Sequence, residues 1–159
     1  MPNTPQQTAL IDIIIDAWGW TDLSPVRVLQ ISAFGNLMVL DKAGHYWRIC
    51  PEELAGTVVA SSEVEYEALL ANPDFQKDWA LRSLMEQCSD QHGPLPAEHA
   101  YLFVTPPPLG GSYGADNVRV APLAEVIGVS GSIARQIKDL PDGSKVKLTT
   151  TSAPPETEA

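Results

Sequence analysis

The chain has 159 residues, 44% of them apolar and 19% charged, a balance that favours one globular domain and excludes a disordered polymer. Its twenty acids against ten bases give a net charge of −10, and an acidic surface repels phosphate backbones, so nucleic-acid binding is disfavoured. Two cysteines, Cys50 and Cys88, form no disulfide framework and suit a reducing cytoplasm, and no apolar run reaches the length of a membrane span.

At the N-terminus no basic segment precedes the apolar residues, and Asp12 and Asp16 interrupt them, so this is a poor secretion signal and the expected location is the cytoplasm. Leu10, Ile13, Ile14 and Ala17 recur at helical spacing, which predicts a helix over Thr8 to Trp18 with Thr8 as its cap. Alternation then predicts strands over 26–33, 37–40, 45–50 and 57–60, joined by tight turns at "FGN" and "DKAG", an antiparallel meander.

Helices follow. "SSEVEYEALLA" offers a serine cap and early glutamates, which suit the positive end of a helix dipole. "NPDFQKDWALRSLMEQC" opens on Asn72 and Pro73 and predicts one helix over 73–91, stopped by "HGP". Strands return at 100–105 and 118–121, on either side of the loop "PPPLGGSYGADN". "PLAEVIGVSGSIARQIKDL" has a helical pattern that Gly128 and Gly131 are expected to bend or break. "SKVKL" (144–148) is expected to be a last strand and 149–159 a disordered tail. The fold class is therefore α+β, an antiparallel sheet (a meander plus C-terminal strands) packed with several helices, in one domain over 1–148.

The stretch "GHYWRICPEEL" crowds a histidine, an arginine, a cysteine and two glutamates together. On a strand, His45, Trp47 and Ile49 share one face while Tyr46, Arg48 and Cys50 share the other, so His45 and Cys50 cannot pair as a catalytic dyad. The chemistry there is a strand with Trp47 and Ile49 in the core, and with Tyr46 and Arg48 either packed or presented to a partner. Elsewhere His92 and His99 lack any zinc spacing, the glycine-rich loop lacks a phosphate-binding pattern, and no nucleophile elbow surrounds Ser130. No catalytic, metal or cofactor residues are expected, and the chain is not expected to be an enzyme. Phe75 and Trp79, flanked by Asp78 and Arg82, form an aromatic pair that either packs inward or anchors a partner.

The acids concentrate in residues 1–100, which hold fourteen acids and five bases, and this points to a basic protein partner steered in by charge. From charge and aromatic placement, the residues expected to meet it are Tyr46, Arg48, Glu52, Glu53, Glu63, Glu67, Asp74, Asp78, Trp79, Tyr113 and Asp116.

Three segments in order, "FGNLMVLDKAGHYWRICPEEL", "LGGSYGADN" and "QIKDLPDGSKVKL", resemble the C-terminal domain of bacterial type VI secretion immunity proteins, the family named after the inhibitor protecting Agrobacterium from its own DNase effector. The resemblance runs over roughly residues 10–148. It implies a protein that binds and blocks a cognate toxin, an effector of the nuclease or NAD(P)-hydrolysing class, by occluding its active site. The family's founding member carries an additional N-terminal module, for which this chain is expected to have no room. Two other expectations stand beside this one: an enzyme built around the glycine-rich loop with Tyr113, Asp116 and His45, and an adaptor that loads a secreted effector without inhibiting it.

Overall fold

The first helix starts earlier than the apolar periodicity implies. Thr4 caps it, its hydroxyl accepting from the Gln7 N–H at 3.1 Å, and Pro5 occupies the first helical position, where a missing N–H costs nothing. The computed structural model describes residues 3–148, so the expected tail at 149–159 lies outside the described residues. In chain order it contains α1 (Pro5–Trp18), β1 (Pro25–Ile31), β2 (Leu37–Asp41), β3 (Tyr46–Cys50), β4 (Ala55–Ala60), α2 (Glu63–Leu70), α3 (Pro73–Ala80), α4 (Arg82–His92), β5 (His99–Phe103), β6 (Val118–Pro122) and α5 (Leu123–Ile137). The fold is α+β.

β1 to β4 form the expected antiparallel meander, in the order β1-β2-β3-β4, while β5 and β6 pair in a separate two-stranded sheet. Asp41 clamps the β2–β3 turn: its carboxylate accepts from the backbone N–H groups of Ala43 (2.9 Å) and His45 (2.8 Å) and from the Trp47 indole (2.7 Å). Burial alone would raise that carboxyl, but these bonds, led by the indole, hold it below its ordinary value.

One face of the meander packs Val28, Leu37, Val39, Trp47 and Ile49 against α1 and α5. Trp18, fully buried, sits at the centre and donates its indole N–H to the Ile127 carbonyl at 3.2 Å. The two helices touch closely at Gly131, where an added Cβ would stand 2.3 Å from the Ala17 carbonyl oxygen. Far from bending α5, Gly131 lets α1 approach it, and the helix is continuous through both glycines. The opposite face packs Met38, Leu29 and Tyr46 under α2 and α3 through Tyr66, Phe75 and Trp79. A second core joins Phe34, Leu84, Cys88, Tyr101 and Phe103 beneath the β5–β6 pair.

Two further expectations are corrected. The helix expected over 73–91 is broken at Leu81, whose φ of 42° lies in the left-handed region that a non-glycine residue rarely adopts. The break lets two apolar stripes serve two cores: Phe75 and Trp79 turn to the meander, Leu84 and Cys88 to the second core. Residues 144–148 form no strand, because Val146 and Leu148 stay exposed and the segment joins neither sheet.

Candidate partner-binding face

The face of β3 that carries Tyr46 and Arg48 is covered. Tyr46 stacks on Tyr66 of α2, with ring centroids 4.4 Å apart and planes 11° from parallel. The Arg48 guanidinium lies against the stacked Phe75–Trp79 pair of α3, 5.5 Å from the centroid of each ring, the two centroids being 5.9 Å apart. Contact with aromatic rings suits the flat, weakly hydrated guanidinium. Its Nε donates to Asn36 Oδ1 at 2.9 Å and its Nη1 to Asp78 Oδ2 at 2.5 Å. Asn36 in turn donates to the Glu52 carboxylate at 2.7 Å.

Arg48 therefore ties the 34–36 turn, β3 and α3 together. Glu52, the inner end of this chain, is 4% exposed, and burial raises its carboxyl despite the Asn36 bond and the nearby guanidinium. Burial, reinforced by the Glu52 carboxylate, likewise pushes the Cys50 thiol well up, and burial raises Cys88, so both cysteines are protonated at neutral pH. Two enclosed donors, Arg48 Nη2 and Tyr66 Oη, find no hydrogen-bond partner among the described residues.

The acids lie outside this layer. Ser62 caps α2 and accepts from the Glu65 N–H at 3.2 Å, while a Glu65 oxygen accepts from the N–H of Ser61, the residue before the cap, at 2.7 Å. Asn72 caps α3 in the same way, accepting from Asp74 and Phe75 N–H groups. Helix-dipole and capping needs thus account for part of the acidity of two successive short helices. Glu63, Glu67 and Asp74 extend from them into solvent, and Asp78, although bonded to Arg48, has a side chain 65% exposed. Val64, 77% exposed in the middle of the glutamates, is the largest apolar surface on α2. Sequence reasoning passed over it, though its placement between Glu63 and Glu65 off the Tyr66 stripe is readable from helical spacing.

Of the residues expected to meet a partner, Glu63, Glu67, Asp74 and Asp78 are exposed on this face, and Glu53 is exposed on the turn between β3 and β4, which contacts α5. Tyr46, Arg48 and Trp79 are half-buried in the layer beneath the acidic face, and Glu52 is enclosed. Tyr113 and Asp116 border α4 instead, Tyr113 edge-on to Phe103 and Asp116 accepting from Gln91.

The glycine-rich loop is stapled by Asn117, which donates to the carbonyls of Thr105 (2.8 Å) and Ser112 (2.9 Å) and accepts from the Thr105 N–H (3.0 Å). Gly111 packs so tightly that a Cβ there would meet the Thr105 carbonyl at 1.7 Å. Tyr113, Asp116 and His45 occupy three separate surroundings, His45 lying against Asp41 at the β2–β3 turn. Among the described residues no group of three His, Cys, Asp or Glu side chains is arranged to hold a metal, and no helix is long and apolar enough to cross a membrane.

No match was found among curated protein sequences. The crystal structure of Atu4351 from Agrobacterium tumefaciens shares the fold, with a TM-score of 0.56 and 15% identity over 79% of this chain. The overlay spans 63% of that protein's own length. Residues 60–134, from the end of β4 into α5, match the family described as T6SS immunity protein Tdi1, C-terminal. Across that segment, which contains both acidic helices and the Asn117-stapled loop, the chain is similar to the C-terminal domain of a type VI secretion immunity protein.

Proposed function

We propose that this chain is an immunity protein that binds a cognate type VI effector toxin and neutralises it by covering its active site, using the acidic face of α2 and α3. The observation that carries this reading is the coincidence of that face with the segment similar to the immunity family. A toxin that hydrolyses nucleic acid or NAD(P) must bind a substrate through its phosphates, and a basic cleft does so. Glu63, Glu67 and Asp74 present carboxylates that compete for the same cleft, with Val64 as an apolar contact at their centre. Arg48, Tyr46, Trp79 and Glu52 act from behind, fixing the two helices on the sheet.

The test is a titration of the effector from the same secretion locus with this protein, following the effector's own activity. Activity is expected to vanish at one equivalent. A stable complex that keeps full activity would instead make the chain an adaptor, and no complex at all would remove the immunity reading.

A further inference from the structure

The two edges of the meander are treated differently. β1 is closed by side chains: the Gln7 carboxamide donates to the Val28 carbonyl at 2.9 Å and accepts from the Val28 N–H at 3.1 Å, and Asn3 donates to the Val26 carbonyl at 3.0 Å. These amides occupy the positions that a fifth strand would take, which is how an edge is protected from unwanted pairing. Among the described residues β4 has no such cover.

The pairing register shows which groups β4 leaves open. The Asp41 N–H donates to the His45 carbonyl at 2.9 Å, so in the alternating antiparallel pattern Trp47 and Ile49 bond toward β2 and Arg48 and Cys50 toward β4. Their β4 partners are Thr57 and Ala55, which leaves the N–H and C=O groups of Gly56 and Val58 pointing away from the sheet. No loop or side chain among the described residues bonds to them. Gly56 has no side chain to screen its backbone, because an added Cβ would stand 3.0 Å from the Trp18 ring, and Val58 is 44% exposed. The strand is bracketed by exposed acids, Glu53 just before it and Glu63 just after it.

We infer that β4 is a strand-addition site for an extended, basic segment of the effector, which pairs with Gly56 and Val58 and sets a Lys or Arg against each of Glu53 and Glu63. Main-chain pairing at an open edge supplies affinity that does not depend on sequence, and the flanking charges select the partner and its register. This inference rests on the immunity reading and specifies how the complex forms.

Amide hydrogen exchange on the unmodified protein, free and with purified effector, tests it without any substitution. Exchange at Gly56 and Val58 is expected to slow markedly in the complex, while Thr57 and Ala55, already bonded to β3, change little. Val58→Pro removes one outward N–H and spares the β3 ladder, and it is expected to weaken binding about tenfold, whereas Val58→Thr keeps the N–H and binds as the parent does. If Val58→Pro does not fold, the exchange measurement decides alone. Unchanged exchange at Gly56 and Val58 in a formed complex overturns the strand-addition site and leaves the immunity reading intact. Absence of any complex overturns the immunity reading itself. Protection of the same two amides in the free protein that rises with its concentration overturns the inference in favour of pairing between two copies of this chain.

Discussion

Arg48 and Asp78 form an asymmetric pair, and the asymmetry fixes what each contributes. The Arg48 side chain is 12% exposed and the Asp78 side chain 65%. Removing Arg48 leaves the stacked Phe75–Trp79 pair and a buried Asn36–Glu52 pair without their cation, whereas removing the Asp78 charge breaks one bond at the solvent boundary. Arg48→Ala is therefore expected to lower unfolding free energy by about 3 kcal/mol and Asp78→Asn by less than about 1 kcal/mol, read by urea denaturation. Asp41 makes a second residue-scale prediction. Its carboxyl is held below its ordinary value of 3.8 in the folded chain, so the stability it supplies is present above that value and is lost as pH falls through the lower, folded one. Asp41→Asn should cost about 1–3 kcal/mol at neutral pH, with the difference from the parent shrinking once the pH drops below about 4. A difference that held constant down to pH 2 would contradict this account.

The helices and strands show which signals of the sequence were strong. Period-2 alternation from Val26 to Cys50 predicts β1 to β3, and Ser62, Asn72 and Pro73 mark the starts of α2 and α3, because caps act locally and need no knowledge of the rest of the fold. The Thr4–Pro5 start of α1 carried the same kind of signal, which the apolar periodicity from Leu10 onward obscured. Leu81 was a different matter. Phe75 and Trp79 point away from the Leu84 stripe, a conflict visible in the sequence, but its resolution by a left-handed residue depends on two separate cores lying on either side. The glycines of α5 likewise differ only through tertiary contact: Gly131 touches the Ala17 backbone, and nothing stands within 4 Å of a Cβ at Gly128. Gly131→Ala is expected to destabilise the protein by about 1–3 kcal/mol, and Gly128→Ala to stabilise it by up to about 1 kcal/mol. Equal effects in thermal unfolding would disprove the close α1–α5 approach.

Across the whole molecule the meander lies between two helical layers of different character. α1 and α5 bury an apolar face around Trp18, while α2 and α3 rest on a layer that holds the Arg48 guanidinium, the Glu52 carboxyl and the Tyr66 hydroxyl, with Arg48 Nη2 and Tyr66 Oη unpartnered among the described residues. The outer surface of this second layer carries the exposed acids Glu63, Glu67, Asp74 and Asp78. The acidic candidates on α2 and α3 were legible as charge, because unpaired carboxylates on short surface helices face solvent. Burial of Arg48 against Phe75 and Trp79 was not legible, since it depends on α3 folding back over β3, and burial of Glu52 was not legible because it depends on Asn36 and on α5, all contacts between residues far apart in sequence. Tyr113 and Asp116 were grouped with them through a glycine-rich loop in which Gly111 serves packing against Thr105. The claim that the acidic layer steers a basic effector is tested most directly by the association rate constant, measured by stopped flow at low and high salt. The parent should associate more slowly as salt rises, and a variant with Glu63, Glu65, Glu67, Asp74 and Asp78 all changed to their amides should associate about tenfold more slowly at low salt and lose most of that salt dependence. An association rate that is the same for both proteins and insensitive to salt would contradict the placement of the interface on α2 and α3.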